Sequence, residues 1–202
     1  MKKMLLTLLM GVLAVAGYAQ ARFDVHGGMS LANITNSDAD LKVGYTVGVG
    51  MDYPIDNQLS FQTGLNITTK GGREKENGTT IKVNPIYLDI PFLAAWKMDI
   101  SADNRLVLNA GPYLGIGLGG KMTEEAKGIE TSSKLFSKVG GNEKSLMNPL
   151  AVGLQCGVGL ELTDCYLLNL TGQYGVTNMF RKCYAGENNR NLSLLLSVGF
   201  RF

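Results

Sequence analysis

The sequence predicts an all-β fold, an eight-stranded antiparallel up-and-down transmembrane β-barrel, and three observations predict it. Apolar and polar residues alternate at period two in segment after segment. The connections between those segments alternate short and long. Aromatic residues on the apolar faces gather at the short-turn ends of their strands.

Ahead of the first strand, Lys2 and Lys3 precede an apolar run from Met4 to Gly17, and small residues follow at Gly17, Ala19 and Ala21. This is the three-part layout of a cleaved secretory signal, and the run is too short to span a bilayer. Residues 1–19 are therefore expected to be a signal peptide cut after Ala19, with Ala21 as the alternative, and residues 20–202 a single barrel domain. No cysteine stands at the junction to carry a lipid anchor, and no second long apolar stretch follows. Losing Lys2 and Lys3 takes 19 basic residues to 17, equal to the 17 acids, so net charge predicts no nucleic-acid partner.

The first strand sets Phe23, Val25, Met29 and Leu31 against Asp24, His26, Gly28 and Ser30. In the second, Leu41, Val43, Tyr45, Val47, Val49, Met51 and Tyr53 point one way and Lys42, Gly44, Thr46, Gly48, Gly50 and Asp52 the other. The third opposes Leu59, Phe61, Thr63, Leu65 and Ile67 to Ser60, Gln62, Gly64, Asn66, Thr68 and Lys70. The fourth runs from Pro85 to Met98, with Tyr87, Asp89 and Lys97 on the polar side, and its Pro85 and Pro91 remove ladder donors and so mark bulges or breaks.

A fifth strand carries Leu106, Leu108, Leu114 and Ile116 against Asn109, Gly111, Tyr113 and Gly115. A sixth carries Leu150, Val152, Leu154, Cys156 and Val158 against Gly153, Gln155, Gly157, Gly159 and Glu161. Tyr166, Leu168, Leu170 and Tyr174 oppose Asn169, Thr171 and Gln173 in the seventh. The last sets Leu192, Leu194, Leu196, Val198, Phe200 and Phe202 against Ser193, Ser197, Gly199 and Arg201. Each strand has about 9 to 13 residues, against the roughly 9 to 11 that cross a bilayer when tilted.

Short connections fall at Pro54 to Gln58, Ile100 to Arg105 and Thr163 to Cys165. Long ones fall at Ile34 to Asp40, Gly71 to Thr80, Gly119 to Asn148 and Thr177 to Arg190. An up-and-down barrel then has every short turn and both termini on one rim, the periplasmic pattern. Phe23, Tyr53, Phe61, Trp96, Tyr166 and Phe202 make one aromatic girdle near it, and Tyr45, Phe92 and Tyr174 a thinner one opposite. The segment Gly119 to Asn148 is long enough to hide a further hairpin, but the charge between Thr123 and Glu130 reads as an exposed loop. Gly71-Gly72 reads as a flexible tip, and Lys70, Arg73 and Lys75 as solvated residues or contacts to anionic headgroups.

The run Asn84-Pro85-Ile86-Tyr87-Leu88-Asp89-Ile90-Pro91-Phe92-Leu93 and the opening Val25 to Asn33, with glycines ahead of Ser-Leu-Ala-Asn, resemble the PorT-like, porin-annotated outer-membrane barrels of Bacteroidota. The resemblance implies an outer-membrane location and a β-barrel fold. It leaves activity open among secretion machinery, adhesion and unassigned roles. The terminal Gly199-Phe200-Arg201-Phe202 resembles the signal read by barrel assembly machinery, with Phe200 and Phe202 as its aromatics and the glycine at an unusual spacing from the end.

The chemistry-bearing inventory is thin. His26 is the only histidine and points inward by parity, which favours a polar network over catalysis. Cys156, Cys165 and Cys183 are odd in number and irregularly spaced, so neither a disulfide framework nor a zinc site is indicated. Glu124, Glu125 and Glu130 lack the ordered spacing of a calcium loop. No catalytic residue, cofactor or metal is expected.

Parity and strand direction place Asp24, Asp52, Ser60, Lys97, Glu161 and Arg201 near the periplasmic rim, with His26 beside Asp24. These lumen residues are expected to form a salt-bridged plug rather than an ion path, because eight strands leave an interior only wide enough for side chains. The expected role is a structural or surface-interaction barrel with outer-membrane lipid around it, assembly machinery behind it and an extracellular or periplasmic partner. The alternatives are a narrow channel for small solutes, a component of a secretion system, or a soluble lipocalin-like barrel with its faces reversed.

Overall fold

A computed structural model of the chain describes residues 21–35, 41–76, 79–126, 129–136, 147–178 and 189–202. Residues 1–19, read above as a leader, and Cys183 lie outside them. The described strands form one antiparallel sheet: β1 (Arg22–Ile34), β2 (Lys42–Pro54), β3 (Leu59–Thr69), β4 (Gly72–Glu76), β5 (Thr79–Ser101), β6 (Asn104–Ala126), β7 (Ile129–Lys134), β8 (Leu150–Leu162), β9 (Tyr166–Gly175) and β10 (Asn191–Arg201). Because β5 pairs with β6 as well as with β3, the strand order closes into a ring of eight staves, β1-β2-β3-β5-β6-β8-β9-β10. The first and last staves meet from Asp24↔Arg201 to Ile34↔Asn191, and the Phe202 amide extends the ladder to the Phe23 carbonyl at 2.9 Å. Closure removes the unpaired edges that an open sheet would leave in hydrocarbon.

The pleat decides which residues meet lipid. Val47, Leu65 and Leu194 are 51%, 48% and 46% exposed on the outer face, while their neighbours Thr46 and Ser193 are buried and Asn66 is half-buried. Along β10 the alternation is unbroken from Asn191 to Val198. A soluble lipocalin-like barrel needs the reverse arrangement, so the apolar outer band fits hydrocarbon. Tyr53, Trp96, Tyr166, Phe200 and Phe202 stand exposed at the short-turn ends, with Tyr166 and Phe200 packed edge to face at 5.7 Å.

The short turns follow from local chemistry. At the β8–β9 hairpin, Thr163 and Asp164 both take positive φ, 53° and 56°, and the Cys165 amide donates to the Leu162 carbonyl at 3.2 Å. Two successive left-handed residues match the right-handed twist of the flanking strands. In β5, Pro91 has no N–H, and the β3 ladder passes from Thr63↔Phe92 to Asn66↔Asp89 around it. Beside Pro85 the β5–β6 register shifts between Ile86 and Tyr87.

Two expected loops are partly sheet. The stretch from Gly71 to Thr80 holds β4, which pairs with the start of β5 from Gly72↔Val83 to Glu76↔Thr79. Gly71 is a bend inside the sheet rather than a free tip: its φ is +109°, and a Cβ there would lie 2.1 Å from the Val83 carbonyl oxygen. The stretch from Gly119 to Asn148 is likewise no plain loop. The β6 strand continues to Ala126 and pairs with β7 from Lys121↔Lys134 to Ala126↔Ile129. This hairpin lengthens an existing stave instead of adding two. At 23 residues each, β5 and β6 are about twice the length that crosses a bilayer, so their paired ends stand clear of the membrane.

Candidate functional site in the barrel lumen

The lumen is filled in tiers, and every tier is built from inward positions of several staves. Nearest the short-turn rim are Asp52 of β2, Lys97 of β5, Glu161 of β8 and Arg201 of β10, all buried. The Lys97 ammonium bonds Asp52 Oδ2 and lies 3.3 Å from Glu161 Oε1. Arg201 Nη2 donates to Asp52 Oδ2 at 3.3 Å and to Glu161 Oε1 at 2.9 Å. Two acids and two bases thus neutralise one another in one ring-like cluster, which is how charges persist in so narrow a space. Gln62 Nε2 adds a bond to Asp52 Oδ2 at 3.2 Å.

Asp24 stands at the level of that cluster, in register with Arg201 across the β1–β10 seam, but its hydrogen bond goes to His26. Its Oδ1 lies 2.8 Å from His26 Nδ1, and His26 Nε2 lies 2.8 Å from Asn66 Oδ1. The imidazole takes Asp24 for itself. A cavity of about 100 Å³, lined by His26, Gln62, Asn66, Asn109 and Gln155 among others, lies above the ion cluster and has room for several waters. Farther from the short turns, Thr46 and Thr68 hydroxyls meet at 3.0 Å and Gln173 donates to Gln155 at 3.0 Å.

Sequence reasoning missed the most deeply buried charges. Lys70 was expected at solvent or headgroup level, yet it is 2% exposed and its Nζ donates to Asp89 Oδ1 at 2.8 Å. Its ammonium also lies 4.5 Å from the centre of the Tyr113 ring and 5.3 Å from that of Tyr87, close enough for cation–π attraction. Gly153 makes room for Tyr113, since a Cβ there would stand 2.4 Å from the ring. The signal was available: Lys70 and Asp89 both fall on the inward parity of adjoining staves.

An apolar cap closes the long-loop end. Ile34, Val83, Tyr87, Leu135 and Met147 are buried together, and Phe136 meets Tyr87 edge to face at 5.6 Å. The Leu135 amide donates to the Gly120 carbonyl at 3.1 Å, and the Met147 amide to that of Leu135 at 3.2 Å. Tyr87 Oη donates to the Asn148 carbonyl at 3.0 Å. Part of the segment expected to be an exposed loop therefore turns back into the barrel mouth.

The family model for an outer membrane protein β-barrel domain matches residues 16–181. The chain belongs to this family. This outer-membrane barrel is accordingly an integral protein of the cell outer membrane, surrounded by its lipid. No curated protein matches it. Among solved structures it is similar to the attachment invasion locus protein Ail of Yersinia pestis, with 14% identity over 90% of this chain and 99% of that one at a TM-score of 0.45. It is similar to Neisserial surface protein A, with 15% identity, 89% and 97% coverage and a TM-score of 0.47. It is similar to OprG of Pseudomonas aeruginosa, with 12% identity, 91% and 97% coverage and a TM-score of 0.48. The fold of the outer-membrane barrel rests on its own strand register.

Of the other singled-out residues, Cys156 is exposed on the outer face and Cys165 is half-buried at the β8–β9 turn. Glu125 and Glu130 face each other in the β6–β7 register.

Proposed function

We propose that this outer-membrane barrel is a closed, non-conducting scaffold whose long-loop rim presents a surface to partners outside the cell. The observation that carries the reading is double closure: the Asp52, Lys97, Glu161 and Arg201 cluster across one end and the Leu135 and Met147 cap across the other. Ions crossing the lumen would have to break a neutralised network and then pass an apolar plug. The paired arms β4–β5 and β6–β7 carry backbone well beyond the bilayer, where a partner can reach it. Planar-bilayer recordings of purified protein test this reading: the expected result is no steady conductance, and a large open-channel current rejects it in favour of the narrow-channel alternative.

We also propose that the protein is not an enzyme. His26, the one histidine, is engaged at both ring nitrogens by Asp24 and Asn66 inside the barrel. A hydrolase activity abolished by His26→Gln would overturn this. The second reading, a component of a secretion system, is one of the roles left open by the resemblance to PorT-like barrels of Bacteroidota carried by Asn84 to Leu93 and Val25 to Asn33. Co-purification of the barrel with periplasmic secretion components from mildly solubilised envelopes would favour it.

A further inference from the structure

At the short-turn rim, just outside the ion cluster, lies a separate polar recess of about 420 Å³. Arg22 of β1, Ser60 of β3, Lys97 of β5 and Arg105 of β6 line it, with Asp56 and Asn57 on the β2–β3 turn. We propose that this recess binds a phosphate-type oxyanion, either the headgroup phosphate of an inner-leaflet lipid or free phosphate.

The first argument is an orphaned donor. Ser60 is 1% exposed, and its hydroxyl has no hydrogen-bond partner among the described residues. A buried hydroxyl without a partner is rare in native proteins, and it lines the recess here. The second argument is charge. Of the three cations bordering the space, Lys97 is already neutralised by Asp52 and Glu161, which leaves the Arg22 and Arg105 guanidiniums against Asp56, whose Oδ1 already accepts the Asn57 amide at 2.7 Å.

The cations are available in different degrees. The Arg22 side chain is exposed, and its guanidinium has no hydrogen-bond or ion-pair partner among the described residues. Arg105 holds Asp99 through Nε at 2.9 Å and lies 3.9 Å from Asp164 through Nη1, but both acids are mostly exposed and such surface pairs contribute little, so the guanidinium retains donors for an anion. Lys97 is committed to Asp52 and Glu161, and its third N–H remains. A guanidinium fork, a second guanidinium, a hydroxyl and an ammonium are a donor set suited to phosphate oxygens. In the barrel orientation that places short turns in the periplasm, the recess opens at the level of the inner-leaflet headgroups.

The test uses the full chain purified in a nonionic detergent at low salt. Inorganic phosphate is titrated calorimetrically, and retention of phosphatidylglycerol is read by native mass spectrometry. Wild type is expected to bind at least one probe. Phosphatidylglycerol retained without phosphate binding assigns the lipid headgroup, and phosphate binding without lipid retention assigns the free anion. Arg22→Gln and Ser60→Ala lie outside the ion cluster, and each is expected to weaken binding by about tenfold, the effect of one charge-assisted hydrogen bond. Lys121→Gln, on the far rim, is expected to change nothing. Heat-modifiable gel mobility verifies that each variant is folded. No binding of either probe by wild type, unchanged affinity in either rim variant, or equal weakening by Lys121→Gln overturns the proposal.

Discussion

Lys70 and Asp89, on neighbouring staves, form an ion pair of 2.8 Å whose side chains are 1% and 0% exposed. The pair sits where β3 bends into β4, and Tyr87 and Tyr113 wall it in. Removing either partner leaves a buried charge without its counter-ion. Asp89→Asn and Lys70→Met are each expected to destabilise the barrel by about 3–5 kcal/mol, whereas the double replacement Lys70→Met with Asp89→Leu recovers most of the loss. Urea titration of the refolded protein in lipid vesicles measures this. Single variants as stable as wild type would show that the pair is dispensable.

The rim cluster responds differently because it holds four charges. Glu161→Gln leaves Arg201 and Lys97 sharing Asp52, an imbalance of one charge rather than an isolated one. A loss of about 2 kcal/mol, below that of Asp89→Asn, is expected for a charged hydrogen-bond acceptor removed from a network with another acceptor remaining. The same vesicle titration ranks the two, and the reverse order would refute the shared-charge account.

On the outer face, Val47 and Leu194 meet hydrocarbon. Val47→Arg is expected to cost about 2–4 kcal/mol near the bilayer midplane, while Thr46→Ser, one residue away and inward, costs much less. Folding equilibria of both variants in vesicles decide it. Equal penalties would mean that the two positions do not face different media.

The apolar cap predicts a protease result. Leu135→Asp buries a carboxylate in the apolar cap among Ile34, Val83 and Met147, where desolvation penalises it, and so expels the segment from the barrel mouth. Intact cells expressing the variant are expected to show cleavage near this segment at protease doses that spare wild type. Identical digestion patterns would argue that the cap does not hold the segment.

Phe202 is exposed on the outer face, with its amide bonded to the Phe23 carbonyl at 2.9 Å at the seam of first and last staves. Deleting it removes both the terminal aromatic and one rung of closure. Reduced abundance in the outer-membrane fraction, with loss of heat-modifiable mobility, is the expected outcome. Unchanged insertion would separate this residue from the assembly signal it resembles.

Much of the lumen was readable from parity, since a period of two assigns every strand residue to one face without knowledge of its neighbours. Parity and strand direction alone gather Asp52, Lys97, Glu161 and Arg201 at one rim. Lys70 shows where the same rule was set aside: its inward parity was legible, but it lies beside a Gly-Gly pair that reads as a loop tip. Loop chemistry and strand parity competed, and the Lys70 amide, donating to the Pro85 carbonyl of β5 at 3.0 Å, decides for the sheet.

By itself the sequence determined the stave number, the lipid-facing side of each strand and the rhythm of turns, because these depend on local alternation and on residues within a few positions of one another. The tertiary structure decided which inward charges meet, pairing Lys70 with Asp89 and setting Lys97 between Asp52 and Glu161, and it turned Leu135 and Met147 into a plug. Those outcomes depend on the stagger between staves and on the path of a long connection, quantities set by ring closure and packing across the lumen.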